Sequence, residues 1–568
     1  MWNSWREQRA LEDRQRRVPE LLRYPSSPPR DPTFVNPPEL ESMHARKRAE
    51  SQTPATATGS TQYPLPEQVR KALYKQYQYR GLNESRDDIR LVKVNFTQGR
   101  SGDMNCNLEH HSIRELVGSH SYDAISYVWG SSSRTTKVLC DNYTSHLYVT
   151  ANLRNVLEKL ASEPSGYTGR LPYWIDGLCI NQEDEQERGH QVRKMANIYR
   201  RAACVHIFLG TFGIEQNLLQ TQWLTRRWVI QEAVAAQKAV VHFQMGGQWR
   251  QAAWADFVGI ASNPTGLAEV NMTLFPAAGL LRGLSETKKT RWSGIFPLLL
   301  KFHSAECHDD RDRLFALLGV SSDVELRDEP GSGAPAYMAQ FQALKIWFQP
   351  DYTLDTAQVY QKFALAALRS PLAFDLLHCA GAFRLIKIRS PSRHALSTWV
   401  PDWRCPPLFK PLIRPAGCHA GMLKSVDRQK ANKQAAFIAK SERWITVRGI
   451  LLGTVQRMSN HLSEIDTIPH SHHVKVEWSS DEIDLGIDRA YVVLDSGHEV
   501  FVPVDVRLGD KVVILIGART PFMLRDTGDT SRVLHELIGD CYVFGEGVMN
   551  GRHVNQAAAE AFVEFHIE

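Results

Sequence analysis

Glu232 stands four residues after Trp228 in the block WLTRRWVIQE, which runs from Trp223 to Glu232. On a helix that spacing puts an indole and a carboxyl on one face, and a carboxylate beside an aromatic wall can stabilise a developing positive charge. The competing reading is an ion pair with Arg226 or Arg227, a common fate of a Glu near a helix start. Gln231 and Trp223 read as packing or hydrogen-bonding residues that orient the helix. In a second block, YWIDGLCINQ (Tyr173 to Gln182), Asp176 closes a short apolar run. There it either contacts a ligand, as residues at the carboxyl ends of strands do in open α/β sheets, or caps the following turn together with Asn181. In a third, SYDAISYVWG (Ser121 to Gly130), Tyr127 and Trp129 either stack on a nucleotide base or join the core.

Other residues capable of chemistry carry weaker signals. Cys179 has no histidine near it in sequence and reads as a small buried hydrophobe. His470, His472 and His473 lie in a polar stretch without a companion Cys or His motif, so a solvated loop is expected rather than a metal site. Neither a G-x-x-x-x-G-K-[ST] loop nor a G-x-G-x-x-G turn after a strand occurs, and no repeat of fixed period is visible. No resident metal or cofactor is expected.

These side chains need rigid elements to hold them. IRLVKVNF after Asp88 reads as a first strand, SYDAISYV as a buried strand, and LYV as a short one. Leu153, Val156, Leu157 and Leu160 then follow the i, i+3, i+4, i+7 pattern of an amphipathic helix. YWID is the next strand. The acidic run NQEDEQERG suits a helix start, and Val192, Met195, Ala196 and Tyr199 line one helical face. VHIFLG is a strand, WLTRRWVIQEAVAAQ a helix, and AVVHF a strand. Such alternation implies an open, largely parallel sheet covered on both faces.

From about residue 270 to 405 the apolar-periodic pieces LFPAAGLLRGL, FPLLLKFH, DRLFALLGV and VYQKFALAAL indicate a helix-rich region. Beyond it, RWITVRGILLGTV, YVVLDSGHEVFVPV, GDKVVILIG and HELIGDCYVFG read as short strands separated by Gly and Asp turns. Ahead of everything, residues 1–66 are rich in Pro and Arg. They have too little apolar surface to offset ordering entropy, so a disordered tail is expected, with a transient helix near Trp5 to Leu22. The expected organisation is a tail over 1–66, an α/β domain over 67–269, a helix-rich region over 270–405 and a β-rich domain over 406–568.

Composition narrows the class. The 568 residues are 43% hydrophobic and 23% charged, as in soluble globular proteins, and two or three globular units fit the length. A net charge of +5, from 67 basic and 62 acidic side chains, without a basic stripe argues against nucleic acid as the main partner. The nine cysteines are scattered singly, which points to a reducing compartment. No run of eighteen apolar residues and no secretory leader is seen, so a cytoplasmic, intracellular protein with no membrane span is expected.

Together the three blocks resemble the heterokaryon incompatibility (HET) domain of filamentous fungi. Its Ser-Tyr-x-Trp-Gly element corresponds to Ser126, Tyr127, Trp129 and Gly130. The Trp-Ile-Asp-x-x-Cys-Ile-Asn-Gln element corresponds to Trp174, Ile175, Asp176, Cys179, Ile180, Asn181 and Gln182. Its Trp-x-x-Arg-x-Trp-x-x-Gln-Glu element corresponds to Trp223, Arg226, Trp228, Gln231 and Glu232. The order is that of the family. Glu187, Arg188, Gln191, Met195, Ile198, Tyr199 and Ala202 continue the second element, and RDRLFALLG (Arg311 to Gly319) and PDY (Pro350 to Tyr352) look like segments that accompany it in long members. The resemblance implies non-self recognition with programmed cell death, carried out by a signalling module that binds a protein partner or self-associates. A non-toxic regulatory member of the family is the other role it leaves open.

A narrower resemblance is to the TIR domain. SYDAISY looks like its opening strand, and IYRRAACVHIFLG followed by RRWVIQEAVAA looks like its later strand and Trp-x-x-x-Glu helix. This implies a flavodoxin-like, mostly parallel sheet, with Glu232 as a catalytic acid and NAD as a substrate. Cleavage of the nicotinamide–ribose bond passes through an oxocarbenium-like state that a nearby carboxylate stabilises, and nicotinamide leaves as a neutral group.

Overall fold

The computed structural model describes residues 75 to 568 apart from several intervals, the longest being 263–275, 328–344, 385–395, 424–437 and 459–474. The Pro/Arg-rich segment 1–66, the helix expected near Trp5 to Leu22, and His470, His472 and His473 lie outside the described residues. Residues Pro66–Glu568 form one compact unit.

Among the described residues nine strands build the first sheet: β1 (Asp88–Phe96), β2 (Met104–Ser112), β3 (Asp123–Tyr127), β4 (Thr136–Cys140), β5 (Ser145–Val149), β6 (Tyr173–Ile175), β7 (Val205–Thr211), β8 (Ala239–Met245) and β9 (Gln248–Ala253). Their spatial order is β5-β4-β2-β1-β6-β3-β7-β8-β9. The four strands β6-β3-β7-β8 are parallel throughout. Around them the pairing is mostly antiparallel, in β1–β2, β1–β6, β4–β5 and β8–β9, with β2–β4 parallel. The α/β class expected from the sequence is thus the one adopted, in a large mixed sheet whose continuous parallel part is its centre. The polar strand β2, MNCNLEHHS, carries no clean period and is invisible to pattern reading, yet it pairs with β1 along nine positions.

Counted along the chain, the parallel core runs 2-1-3-4, a doubly wound order whose switch point lies between β3 and β7. Parallel neighbours need long crossovers, and helices supply them: Ala151–Ser162 precedes β6, Glu185–Arg201 joins β6 to β7, and Val229–Ala235 leads into β8. Leu153, Val156, Leu157 and Leu160 are all buried, as are Val192, Met195, Ala196 and Tyr199. Asp184 caps the second of these helices, its carboxylate accepting from the Gln186 and Glu187 N–H groups at 3.0 Å each. Arg200 and Arg201 sit in its last turn, where the helix dipole favours cations.

One expected element is corrected. WLTRRWVIQEAVAAQ is a 3-10 turn, Gln222–Thr225, followed after a break by the α-helix Val229–Ala235. The break arises because Arg226 pairs with Glu306 as in a parallel sheet. Glu306 N–H donates to Thr225 O and Arg227 N–H to Glu306 O, both at 2.7 Å. Backbone groups that a continuous helix would use internally are satisfied by a segment 80 residues downstream.

Helices Pro276–Thr290, Ile295–Lys301, Asp312–Leu318, Thr356–Leu368 and Ala373–Ala382 follow. The last part is β-rich. Ile445–Met458 pairs with both Lys511–Leu515 and Val563–Ile567. Through Phe522–Asp526 and His535–Asp540 the circuit closes into a small five-stranded barrel. Ile450, Leu452, Val512, Ile514, Met523 and Ile538 share one cluster there, while Val447, Val513, Leu515, Phe522, Leu524 and Leu537 belong to the cluster that runs back to β1. Among the described residues no helix is long and apolar enough to cross a membrane.

Candidate active site at the carboxyl ends of the parallel strands

The three aromatic-rich blocks meet at the carboxyl ends of β6 and β3. Ser126, the only serine in the wholly buried strand DAISY, donates its proton to Glu232 Oε2 and accepts the indole N–H of Trp223 at 2.7 Å. Glu232 is 2% exposed and Trp223 0%, so indole, hydroxyl and carboxyl form a chain sealed from water. Burial pushes the Glu232 carboxyl up to about 7, and the charge of Asp176 adds to this. Arg226 and the Ser126 hydroxyl pull the other way. Burial thus lifts Glu232 out of the ordinary carboxyl range toward neutrality, where a group can either accept or give a proton.

Above this chain the surroundings open. Asp176 is half-buried; its Oδ2 accepts from Trp129 Nε1 at 2.8 Å and its Oδ1 from Gly177 N–H at 2.6 Å. Burial raises its pKa, opposed first by the Arg226 charge and then by the Trp129 hydrogen bond. The Arg226 guanidinium donates to Tyr127 O, at the end of β3. The Arg134 guanidinium lies 5.5 Å from the Trp129 ring centroid. Two carboxyls, two guanidiniums and an indole thus surround the end of β3, beside the switch point where ligands of doubly wound sheets bind.

Glycines let these groups approach. Gly130 has φ +70°, and a Cβ there would lie 2.7 Å from Asn152 Nδ2, whose amide donates to Val128 O at 3.0 Å. A Cβ on Gly177 would lie 2.5 Å from the Tyr127 hydroxyl. The rest of the second block is bolted down from behind. Gln182 Nε2 donates to Asp176 O at 3.0 Å, and Asn181 Oδ1 accepts from Glu183 N–H at 3.3 Å. The Asn181 N–H donates to Glu187 Oε1 at 2.7 Å. Glu187 is itself gripped by the fully buried Arg90, which also donates to Cys179 O at 3.1 Å. Cys179 is buried, and its thiol is pushed up to about 12 by that burial, so it stays protonated and inert.

Several candidates sit differently from their sequence readings. Glu232 hydrogen-bonds Ser126 rather than an arginine. Arg227 is 1% exposed and spends its guanidinium on Arg313 O and Phe302 O at 2.7 and 2.6 Å. Trp228 directs its N–H to Asp312 Oδ2 at 2.9 Å; the indole hydrogen-bonded into the Glu232 chain is that of Trp223. Gln231 donates to Phe315 O at 3.2 Å. Ser126 was visible only as a member of its block. A lone serine among buried apolar strand residues is the signal that could have marked it, because a buried hydroxyl needs a partner.

Residues 122–214 match the family model described as heterokaryon incompatibility protein (HET). The match begins at the entry to β3 and ends just past β7, ahead of the third block. Over 142 residues the chain is 33% identical to heterokaryon incompatibility protein 6, OR allele, of Neurospora crassa, covering 23% of this chain and 20% of that protein. The chain therefore matches about a fifth of that relative's length. No solved structure matches it.

Proposed function

We propose that this chain, a HET domain-containing protein, acts in heterokaryon incompatibility as an effector of the cell-death response, and that its α/β part works as a signalling and interaction module. The incompatibility role rests on the family match over residues 122–214 and on the similarity to the Neurospora crassa incompatibility protein. One observation favours a module over an enzyme: the only strongly poised acid of the three blocks, Glu232, is 2% exposed and already bonded to Ser126. In this arrangement its carboxyl braces β3 against the third block instead of facing a substrate.

A second reading, NAD cleavage with Glu232 as the acid, draws support from a different observation. Glu232 is held near pKa 7 at the carboxyl end of a central parallel strand, where a doubly wound sheet takes its ligands. A conformational change that freed Glu232 from Ser126 would present it beside Asp176, Arg226 and Trp129.

Expression of the full chain and of Glu232→Gln in a filamentous fungus, with nicotinamide release from NAD measured on the purified proteins, separates the two. The module reading expects growth arrest from wild type, retained by Glu232→Gln, with no nicotinamide release. Arrest and release both abolished by Glu232→Gln would establish the enzyme instead. Absence of arrest from a folded wild-type chain in every strain pairing would overturn the effector role.

A further inference from the structure

The third block is anchored by segments that lie beyond the matched residues, and one carboxylate gathers them. Asp312 Oδ2 accepts from Trp228 Nε1 at 2.9 Å and its Oδ1 accepts from the Tyr352 hydroxyl at 2.6 Å. Trp228 immediately precedes the helix Val229–Ala235, which carries Glu232. Tyr352 is buried, and its ring is approached by two guanidiniums, Arg188 at 4.9 Å and Arg311 at 5.1 Å from its centroid. Arg188 belongs to the helix that follows the second block. Arg311 in turn forks onto Asp309 and donates to Tyr352 O and Leu354 O.

We propose that Asp312 is a positioning residue for the HET region: through Trp228 and Tyr352 it sets where the helix bearing Glu232 sits, so that the Asp-Arg-Asp and Pro-Asp-Tyr segments are working parts of that region. The physical argument is geometric. A seven-residue helix, Val229–Ala235, is too short to be stable by itself, and Trp228, the N-cap residue before it, makes no side-chain cap bond to it. Its place is taken from outside, by Asp312 on the indole and by Phe315 O on Gln231. A side chain of Asp312 that can no longer accept would leave the Trp228 N–H and the Tyr352 hydroxyl seeking new partners and release the start of the helix.

The charges that act on Glu232 are those of Arg226 and Asp176, together with the Ser126 hydrogen bond; Asp312 is not among them. A change in Glu232 titration on altering Asp312 is therefore transmitted by position rather than by charge, which a purely local packing role would not produce. The proposal rests on the reading of the HET region as the effector, and the test keeps the two apart.

In the full chain, Asp312→Ala, Asp312→Asn and Tyr352→Phe are compared with wild type, each with and without Glu232→Gln. The difference within each pair isolates the Glu232 contribution to the pH dependence of stability. For Asp312→Ala we expect the midpoint of that contribution to move from about 7 toward the ordinary 4.5 as the carboxyl gains solvent, with growth arrest lost. Asp312→Asn, which keeps one acceptor oxygen, is expected to fall between. Tyr352→Phe is expected to shift the midpoint in the same direction by less. A folded Asp312→Ala whose Glu232 midpoint stays at the wild-type value overturns the proposal. A wild type that causes no arrest would count against the effector role alone, since the titration is read independently of it.

Discussion

Glu232 is where four effects meet: burial and the Asp176 charge favour its protonated form, while Arg226 and the Ser126 hydrogen bond favour the ionised one. Burial wins, so the folded carboxyl titrates near 7 instead of 4.5. Between those two values the folded chain still holds a proton that the unfolded chain has released. Stability therefore falls as pH rises through this window and levels off above it. At 1.36 kcal/mol per unit the full cost is about 3 kcal/mol. Glu232→Gln keeps the shape and removes the charge, so it is expected to gain on wild type from pH 5 to pH 8 by roughly that amount. Urea unfolding at the two pH values measures it; a wild-type-to-variant gap that does not change with pH would refute the burial argument.

At the scale of elements, the joint between the helix Ala373–Ala382 and the barrel strand His535–Asp540 is set by close backbone contact. A Cβ on Gly381 would sit 2.4 Å from Gly539 Cα and 3.1 Å from its N. Backbone cannot yield as a flexible side chain does, so Gly381→Ala is expected to cost about 1–3 kcal/mol by overpacking, despite the better helix propensity of alanine. Gly279, in Pro276–Thr290, has nothing within 4 Å of such a Cβ. There the same substitution is expected to stabilise by up to about 1 kcal/mol. Thermal unfolding of the two variants should show shifts of opposite sign. The broken third block teaches the same lesson at this scale: Arg226 and Arg227 leave the helix because the backbone there bonds to Glu306 in an extended bridge.

Across the whole unit, one ion cluster pins the helical segment to the barrel. Asp540 is 0% exposed. Its carboxylate accepts from Leu412 N–H at 2.7 Å, pairs with His378 Nδ1 at 2.6 Å and is held by the Arg489 guanidinium, which also donates to Asp540 O. Burial alone would raise its pKa, but the Arg489 charge and the His378 contact outweigh it and hold the carboxyl below the usual value of 3.8. The stability this contributes is present above the unfolded pKa and is lost as pH falls through the lower folded one. Asp540→Asn would leave the buried Arg489 charge uncompensated, at a cost of about 3–5 kcal/mol. Chemical unfolding at neutral pH measures it, and a loss under about 1 kcal/mol, the worth of an exposed pair, would remove the cluster as a keystone. The apolar cluster that includes Tyr77 and Ile567 draws members from the first sheet, the helical segment and the barrel alike.

Much of this architecture is written locally. The helical period through Leu153 to Leu160, the acidic start of the helix after Asp184 and the buried run DAISY are recorded in neighbouring residues, because helix and strand each impose a short repeat on what they bury. The first two blocks, legible as compact runs of unusual residues, lie within the stretch that the heterokaryon incompatibility model matches. What the sequence could not disclose is who satisfies whom. Ser126 and Glu232 are 106 positions apart, Trp228 and Asp312 84, and His378 and Asp540 162. A buried polar group must find a partner, but which one depends on where the sheet order and the crossovers carry the chain. That is why Glu232 looked like an arginine's partner beside Trp228, and why only the tertiary structure placed it under Ser126 and Trp223.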